Sequence, residues 1–235
     1  MLKVFTFGTV LAVVALSLVC RPGLASAEPA SPAAPNGVIV LEAENAELAD
    51  GWVRRDGENP DDPSMAGSTG RGWIEWTGPF NGGVTKQDHE VSGTLTYTFT
   101  VTRPGLYTFR WRTKQYGDVE RVDAGNDSYV KFVTGTPQEM PERDGRGRYT
   151  IGQHTKVFVQ SKARWSYNAA FEVAHHRFVM NPQVHYDAGV HTIQISGRSP
   201  GHAIDRLTLH HADVPFDHDT FVNYPETTTA QSSNK

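Results

Sequence analysis

The chain predicts an all-β fold, one antiparallel β-sandwich of the jelly-roll kind, from three observations. The segment TLTYTFTV alternates threonine with Leu95, Tyr97, Phe99 and Val101, a two-residue period that buries one face of a strand. The other apolar stretches are short and divided by turn-forming segments, in a chain with 22 glycines and 14 prolines. None is followed by a convincing amphipathic helix, which disfavours parallel βαβ units.

The individual strands follow in order. Behind Val101, Arg103-Pro104-Gly105 forms a turn, and Tyr107, Phe109 and Trp111 resume the alternation with Arg110 and Arg112 facing the other way, so the pair reads as a hairpin. Further strands are expected over 38–44, 73–76, 128–133, 156–160, 175–180, 190–196 and 203–211. About nine strands separated by Gly- and Pro-rich loops make a sandwich. The folded domain is expected over 38–214, with no internal repeat and with 215–235 as a partly disordered tail that ends in TTTAQSSNK.

The N-terminus predicts export. Lys3 opens a short positive start, residues 4–19 are almost all apolar, and Ala25-Ser26-Ala27 offers a small-x-small cleavage site, so 1–27 reads as a signal peptide cleaved near Ala27. The mature chain then begins with an extended Pro- and Ala-rich leader over 28–37 and is expected outside the cytoplasm, secreted or periplasmic. The apolar run is shorter than the ~20 residues of a spanning helix, so membrane insertion is not expected. Lipidation at Cys20 is disfavoured by the bulky Val19 before it. Cys20 is the only cysteine, so a mature chain starting near Glu28 has neither disulfides nor cysteine-type zinc sites. With 22 basic and 26 acidic residues and a formal net charge of −4, the chain has no long basic block of the kind nucleic acid demands. A monomer with a neutral or weakly charged ligand is expected.

Three carboxylates stand where strand phase makes them costly. In VIVLEAE, Glu42 and Glu44 share a phase with Val38 and Val40 and leave one face roughly 6–7 Å apart. In AIDRLTL, Asp205 shares a phase with Ala203, Leu207 and Leu209, the expected inward face, where an unpaired acid is expensive. The first and last strands of a sandwich can lie side by side, and oxygen ligands converging there favour a structural Ca²⁺. The alternative is an exposed Glu pair, with Asp205 held by Arg206 or another arginine.

The segments VLEAENAEL, GWIEWTG, GTLTYTFTVTRPGLYTFRWR, NDSYVKF and AGVHTIQISGRSPGHAIDRLTLH resemble, in order and spacing, secreted carbohydrate-binding modules of families 6 and 35 and their galactose-binding-like jelly-roll relatives. The resemblance spans about 40–210. It implies a sandwich with structural calcium on Glu42, Glu44 and Asp205, and a poly- or oligosaccharide partner held by aromatic side chains in loops at one edge. Trp73 looks like the first stacking aromatic of that family and Trp165, in ARWSYN, like the second. Indole packs well on sugar C–H faces and keeps a polar N–H. The family's asparagine just before I-D is Ala203 here, which removes one hydroxyl contact. Asn126, Asp127, Arg198 and His202 sit near loop ends, where binding groups gather, and Arg198 offers a fork suited to a uronate carboxylate. The same residue types also form ordinary turns.

Two other readings have sequence support. Adjacent residues on a strand point to opposite faces, so neither His175-His176 nor His210-His211 is expected to place both rings on one ion. The tail with Asp213, Asp217, His218 and Asp219 leaves a zinc reading open. Jelly rolls also carry polysaccharide lyases and glycoside hydrolases, but the sequence has no E-x-D-x-x-E pattern and no H-E-x-x-H. A structural or adhesive cell-surface module is the third class, since loop aromatics also serve protein interfaces.

Overall fold

The computed structural model describes residues 36–56, 67–116, 124–159 and 164–227. The leader at 1–27, most of the stretch 28–37 and the segment 228–235 lie outside the described residues. The first half of the chain forms β1 (Val38–Glu42), β2 (Trp52–Asp56), β3 (Gly72–Trp76), β4 (Thr85–Lys86), β5 (Ser92–Val101), β6 (Gly105–Gln115), β7 (Asp127–Phe132) and β8 (Thr136–Pro137). The second half forms β9 (Met140–Pro141), β10 (Arg148–Tyr149), β11 (His154–Phe158), β12 (Ala170–Ala174), β13 (Arg177–Met180), β14 (Gln183–Tyr186), β15 (Gly189–Gly197), β16 (His202–His211) and one short helix, α1 (His218–Phe221).

Two seven-stranded sheets face each other. The first runs β2-β3-β16-β6-β14-β8 with β1 also on β16, and the second runs β13-β12-β11-β7-β15-β5 with β4 on β11. The chain is an antiparallel β-sandwich, as its alternation predicts. Phe99 and Val101 of β5, Ile193 and Ile195 of β15, Phe109 and Trp111 of β6, and Leu207 and Leu209 of β16 share one buried core. At about 25 cal/mol per Å² of apolar surface removed from water, these side chains are the main source of cohesion.

The expected hairpin is instead a crossing between sheets. β5 pairs with β15 in the second sheet, whereas β6 lies between β16 and β14 in the first. Two strands with matching alternation can pair edge to edge or face each other across a core, and the turn at Arg103-Pro104-Gly105 serves the second arrangement. The first and last long strands do lie side by side, from Val38 opposite His210 to Glu42 opposite Arg206. β2, β4, β8, β9, β10, β12 and β14 are additional; WVRRD, AFEVA and QVHY are too short for their patterns to announce a strand, and the other four have two residues each.

The ordered domain also runs past Val214. Residues 214–227, expected as tail from 215 onward, cross the outer face of the first sheet, where Phe221 is buried with Val38, Val40 and Tyr167. Asp217 caps α1 by accepting the Thr220 N–H at 2.7 Å. Thr227 exchanges bonds with Val40, its N–H to the Val40 carbonyl at 2.8 Å and its hydroxyl accepting the Val40 N–H at 2.9 Å. The Arg110 guanidinium lies 4.0 Å from the Phe216 ring centroid. Phe221→Ala is expected to lower the unfolding free energy by about 3–5 kcal/mol in urea denaturation. An unchanged midpoint would show that this strap is not part of the cooperative fold.

Candidate functional site

The outer face of the first sheet concentrates the chain's buried charge. β16 carries a register shift between Ile204 and Arg206, with Asp205 as the extra residue of a bulge. Ile204 and Leu207 can therefore both face the core although they are three residues apart. Strict alternation placed Asp205 inward with Leu207; the bulge turns it toward the carboxylates at the end of β1.

Glu42, Glu44 and Asp205 are all buried, with Glu44 in a short 3-10 turn beyond β1. They converge on the turn Thr69-Gly70-Arg71. The Thr69 N–H donates to Asp205 Oδ1 at 2.6 Å, its hydroxyl reaches Asp205 Oδ2 at 2.8 Å and Glu42 Oε2 at 2.9 Å, and the Arg71 N–H donates to Glu44 Oε1 at 2.7 Å. Two arginines complete the group. Arg112 Nη1 lies 2.6 Å from Asp205 Oδ2, and Arg206 pairs closely with Glu42 while Nη1 donates to the carbonyls of Phe221, Val222 and Tyr224. Burial pushes the Glu42 carboxyl up to about 7 against the pull of Arg206, and burial also raises Glu44. Glu44 Oε2 is buried with no hydrogen-bond partner among the described residues. The residues fit a hard cation: the donors are oxygens, one is unused, and an open cleft of about 400 Å³ reaches Glu42 and Glu44.

The same face gathers the two candidate stacking residues. Trp73, Trp165 and Ala203 form one buried cluster with Tyr116 against it. The Trp73 ring centroid lies 6.0 Å from that of Trp165 and 6.3 Å from that of Tyr116, in edge contacts, and Arg112 sits 5.3 Å over Trp165. Reciprocal backbone bonds between Thr113 and Ser166, both 3.0 Å, hold the Trp165 segment beside the end of β6. The rings are closed in, with Trp73 1% and Trp165 6% exposed. The indole N–H groups of both are buried without an acceptor among the described residues, as is that of Trp111 in the core.

Asp127, Arg198 and His202 are buried within the protein rather than on its surface, and Asn126 beside them is half-buried. Arg198 Nη1 lies 2.5 Å from Asp127 Oδ1, to which Ser199 also donates closely, so the fork expected for a uronate is directed inward. Asp127 Oδ2 is 3.7 Å from Lys156 Nζ, which in turn pairs with Glu172 at 2.7 Å. Asn126 Oδ1 has no partner among the described residues. His202 Nδ1 lies 2.8 Å from Ser128 Oγ and its ring packs 5.1 Å from Trp111, while Nε2 has no partner. Burial lowers its pKa to about 3.

Sequence reading missed Tyr116, the Thr69 turn and Phe80. Phe80, 64% exposed, stacks over Arg198 at 5.1 Å, and a lone aromatic in TGPFNGG gave no signal of that partner. Arg112 was legible as the face opposite Trp111. Of the described C-terminal histidines and acids, His211 pairs with Asp213 at 3.5 Å and His218 with Asp219 at 3.1 Å, but no three of them converge. His210 faces Phe216 and Phe221, His211 faces Tyr107, His218 faces Tyr167, and Asp217 caps α1.

No protein-family model matches the sequence, and no curated protein matches it. Among solved structures the chain is similar to a Podospora anserina GH26-CBM35 β-(1,4)-mannanase, at 20% identity and TM-score 0.44 over 79% of this chain and 30% of that one. It is similar to a family 35 carbohydrate-binding module from Clostridium thermocellum, at 15% identity and TM-score 0.41 over 73% of this chain and 97% of the module. It is also similar to the C-terminal CBM6 of LamC from Zobellia galactanivorans, at 12% identity and TM-score 0.38 over 74% and 98%. The chain spans under a third of the mannanase chain and 24% of an Arthrobacter globiformis isomalto-dextranase chain. The sandwich architecture is established by this chain's own sheets, independently of these likenesses.

The buried histidine makes a signed prediction. His202 stays neutral in the fold down to about pH 3, whereas an unfolded histidine takes up its proton near 6.5. Its contribution is therefore intact above pH 6.5 and is lost as pH falls below that, by at most about 1.4 kcal/mol per pH unit. Urea unfolding of wild type and His202→Gln between pH 7 and 4 is expected to show the shallower slope in the variant. Parallel slopes would contradict a neutral, buried His202.

Proposed function

We propose that the chain is an exported, non-catalytic carbohydrate-binding module that holds a structural calcium ion. The observation that carries the binding reading is the pairing, in one aromatic cluster, of two indole N–H groups with no acceptor among the described residues, those of Trp73 and Trp165. A buried polar group without a partner costs about 1–3 kcal/mol, and a sugar supplies both hydroxyl acceptors for the N–H groups and C–H faces for the rings. Residues 73, 116, 165 and 203 come together from four distant places in the chain. Two of them are the positions that the resemblance to family 6 and 35 modules assigns to sugar stacking. Because Arg198 is directed to Asp127, a neutral sugar suits the site better than a uronate. Both rings are covered in this conformation, so binding requires them to open a face.

Affinity electrophoresis against a panel of neutral polysaccharides tests the reading. Wild type is expected to be retarded by at least one, and Trp165→Phe and Trp73→Phe, which keep an aromatic ring and lose the N–H, to be retarded less. No retardation by any member would defeat the reading, and loss only in Phe80→Ala would move the site to the exposed ring over Arg198.

Calcium would be held by Glu44, through its unused oxygen, together with Glu42 and Asp205, and would supply the positive charge that Glu44 lacks, since Glu42 and Asp205 are paired with Arg206 and Arg112. Without it, Glu42 favours the fold in its protonated form, so its contribution is full below about pH 4.5 and is lost as pH rises through about 7. The melting temperature of calcium-loaded protein is therefore expected to exceed that of chelated protein by a margin that widens from pH 4.5 to 7. Equal melting temperatures across that range would exclude a structural ion.

A further inference from the structure

The turn between β12 and β13 departs from the strand expected over 175–180. Ala174 pairs with Arg177, leaving His175 and His176 as a two-residue loop. His176 has φ of +57°, a left-handed conformation uncommon for a side chain of this kind. That conformation removes the up-down alternation that would have parted the two rings. Their centroids are 3.9 Å apart with planes tilted by 46°. A register shift between Glu172 and Ala174 also turns Glu172 toward the loop. Its Oε1 accepts the His176 N–H at 2.9 Å and lies 4.0 Å from His175 Nδ1.

We propose that Glu172, His175 and His176 form a binding site for a divalent transition-metal ion of the zinc class. One ligand atom from each residue lies within 4.8 Å of the others. Two donors on a tetrahedral zinc stand roughly 3.3 Å apart, so a small rotation of the rings closes the set. His175, with its side chain 83% exposed, is free to make that rotation, while Glu172 is buried and fixed. Two imidazoles and one carboxylate suit zinc, copper or nickel rather than calcium, with water filling the remaining positions. Lys156 holds Glu172 Oε2 at 2.7 Å and leaves Oε1 as the metal-facing oxygen. Its ammonium also moderates the affinity. The site lies on the second sheet, apart from the carboxylate cluster on the first.

Zinc titration of the full chain by calorimetry, with calcium in excess so that oxygen-only sites are filled, tests the proposal. Wild type is expected to bind one equivalent of zinc that His175→Ala and His176→Gly bind at least about tenfold more weakly and the double variant does not bind. Glycine keeps the left-handed backbone at 176, and both positions are exposed, so the fold is expected to survive, as circular dichroism would check. Glu172→Gln is expected to weaken the same equivalent. No zinc bound by wild type, identical binding by the double variant, or wild-type affinity in Glu172→Gln would each overturn the three-donor site.

Discussion

The pairing of Arg206 with Glu42 is the interaction on which the outer face of the first sheet depends. Arg206 comes from the residue after the β16 bulge, Glu42 from the end of β1, and three carbonyls of the C-terminal strap accept from the same guanidinium. One side chain thus ties together the last long strand, the first strand and the segment that closes over them. Where Glu42 is ionised, above about pH 7, removing one partner of such a pair typically costs about 3–5 kcal/mol, because the other charge is left buried and uncompensated. The bulge makes the arrangement possible by adding one residue to β16. Asp205 then joins Arg112 and Thr69, and the Thr69 turn brings Glu44 into the group.

The aromatic cluster depends on the same geometry. Arg112 is shared between Asp205 and the face of Trp165, and Ala203, two residues before Asp205, provides the small side chain against which Trp73 and Trp165 pack. A larger residue at 203 would compete with the indoles for that space. Charge cluster and aromatic cluster are thus neighbours on one sheet face, and a cation that orders the first would steady the second. The chemistry proposed for the site, sugar stacking beside a structural ion, uses this adjacency.

What the sequence disclosed follows periodicity and charge. Alternation in TLTYTFTV announces the sandwich, and the strand phases of Glu42, Glu44 and Asp205 name the three acids of the carboxylate cluster. Alternation is blind to an inserted residue, so the Asp205 bulge and the re-aimed Glu172 needed coordinates. It is equally blind to whether two matching strands pair or face one another, which is why β5 and β6 read as a hairpin although they lie in opposite sheets. His175-His176 was read as strand, where adjacent rings diverge; the positive φ of His176 undoes that rule. The strap at 214–227 escaped because its apolar residues, Phe216, Phe221 and Tyr224, are too widely spaced to signal an element, though they suffice to cover Val38 and Val40.

The indole N–H groups allow the binding account to be tested residue by residue. The N–H of Trp52 is bonded to the Gly93 carbonyl at 2.6 Å and that of Trp76 to the Pro79 carbonyl at 3.2 Å, whereas those of Trp73 and Trp165, like that of Trp111 in the core, have no acceptor among the described residues. In ¹H–¹⁵N spectra of calcium-loaded protein, titration with oligosaccharides from a retained polysaccharide is expected to move the indole resonances of Trp73 and Trp165 and leave those of Trp52 and Trp76 in place. Saturable binding that leaves the Trp73 and Trp165 resonances unmoved would contradict the account.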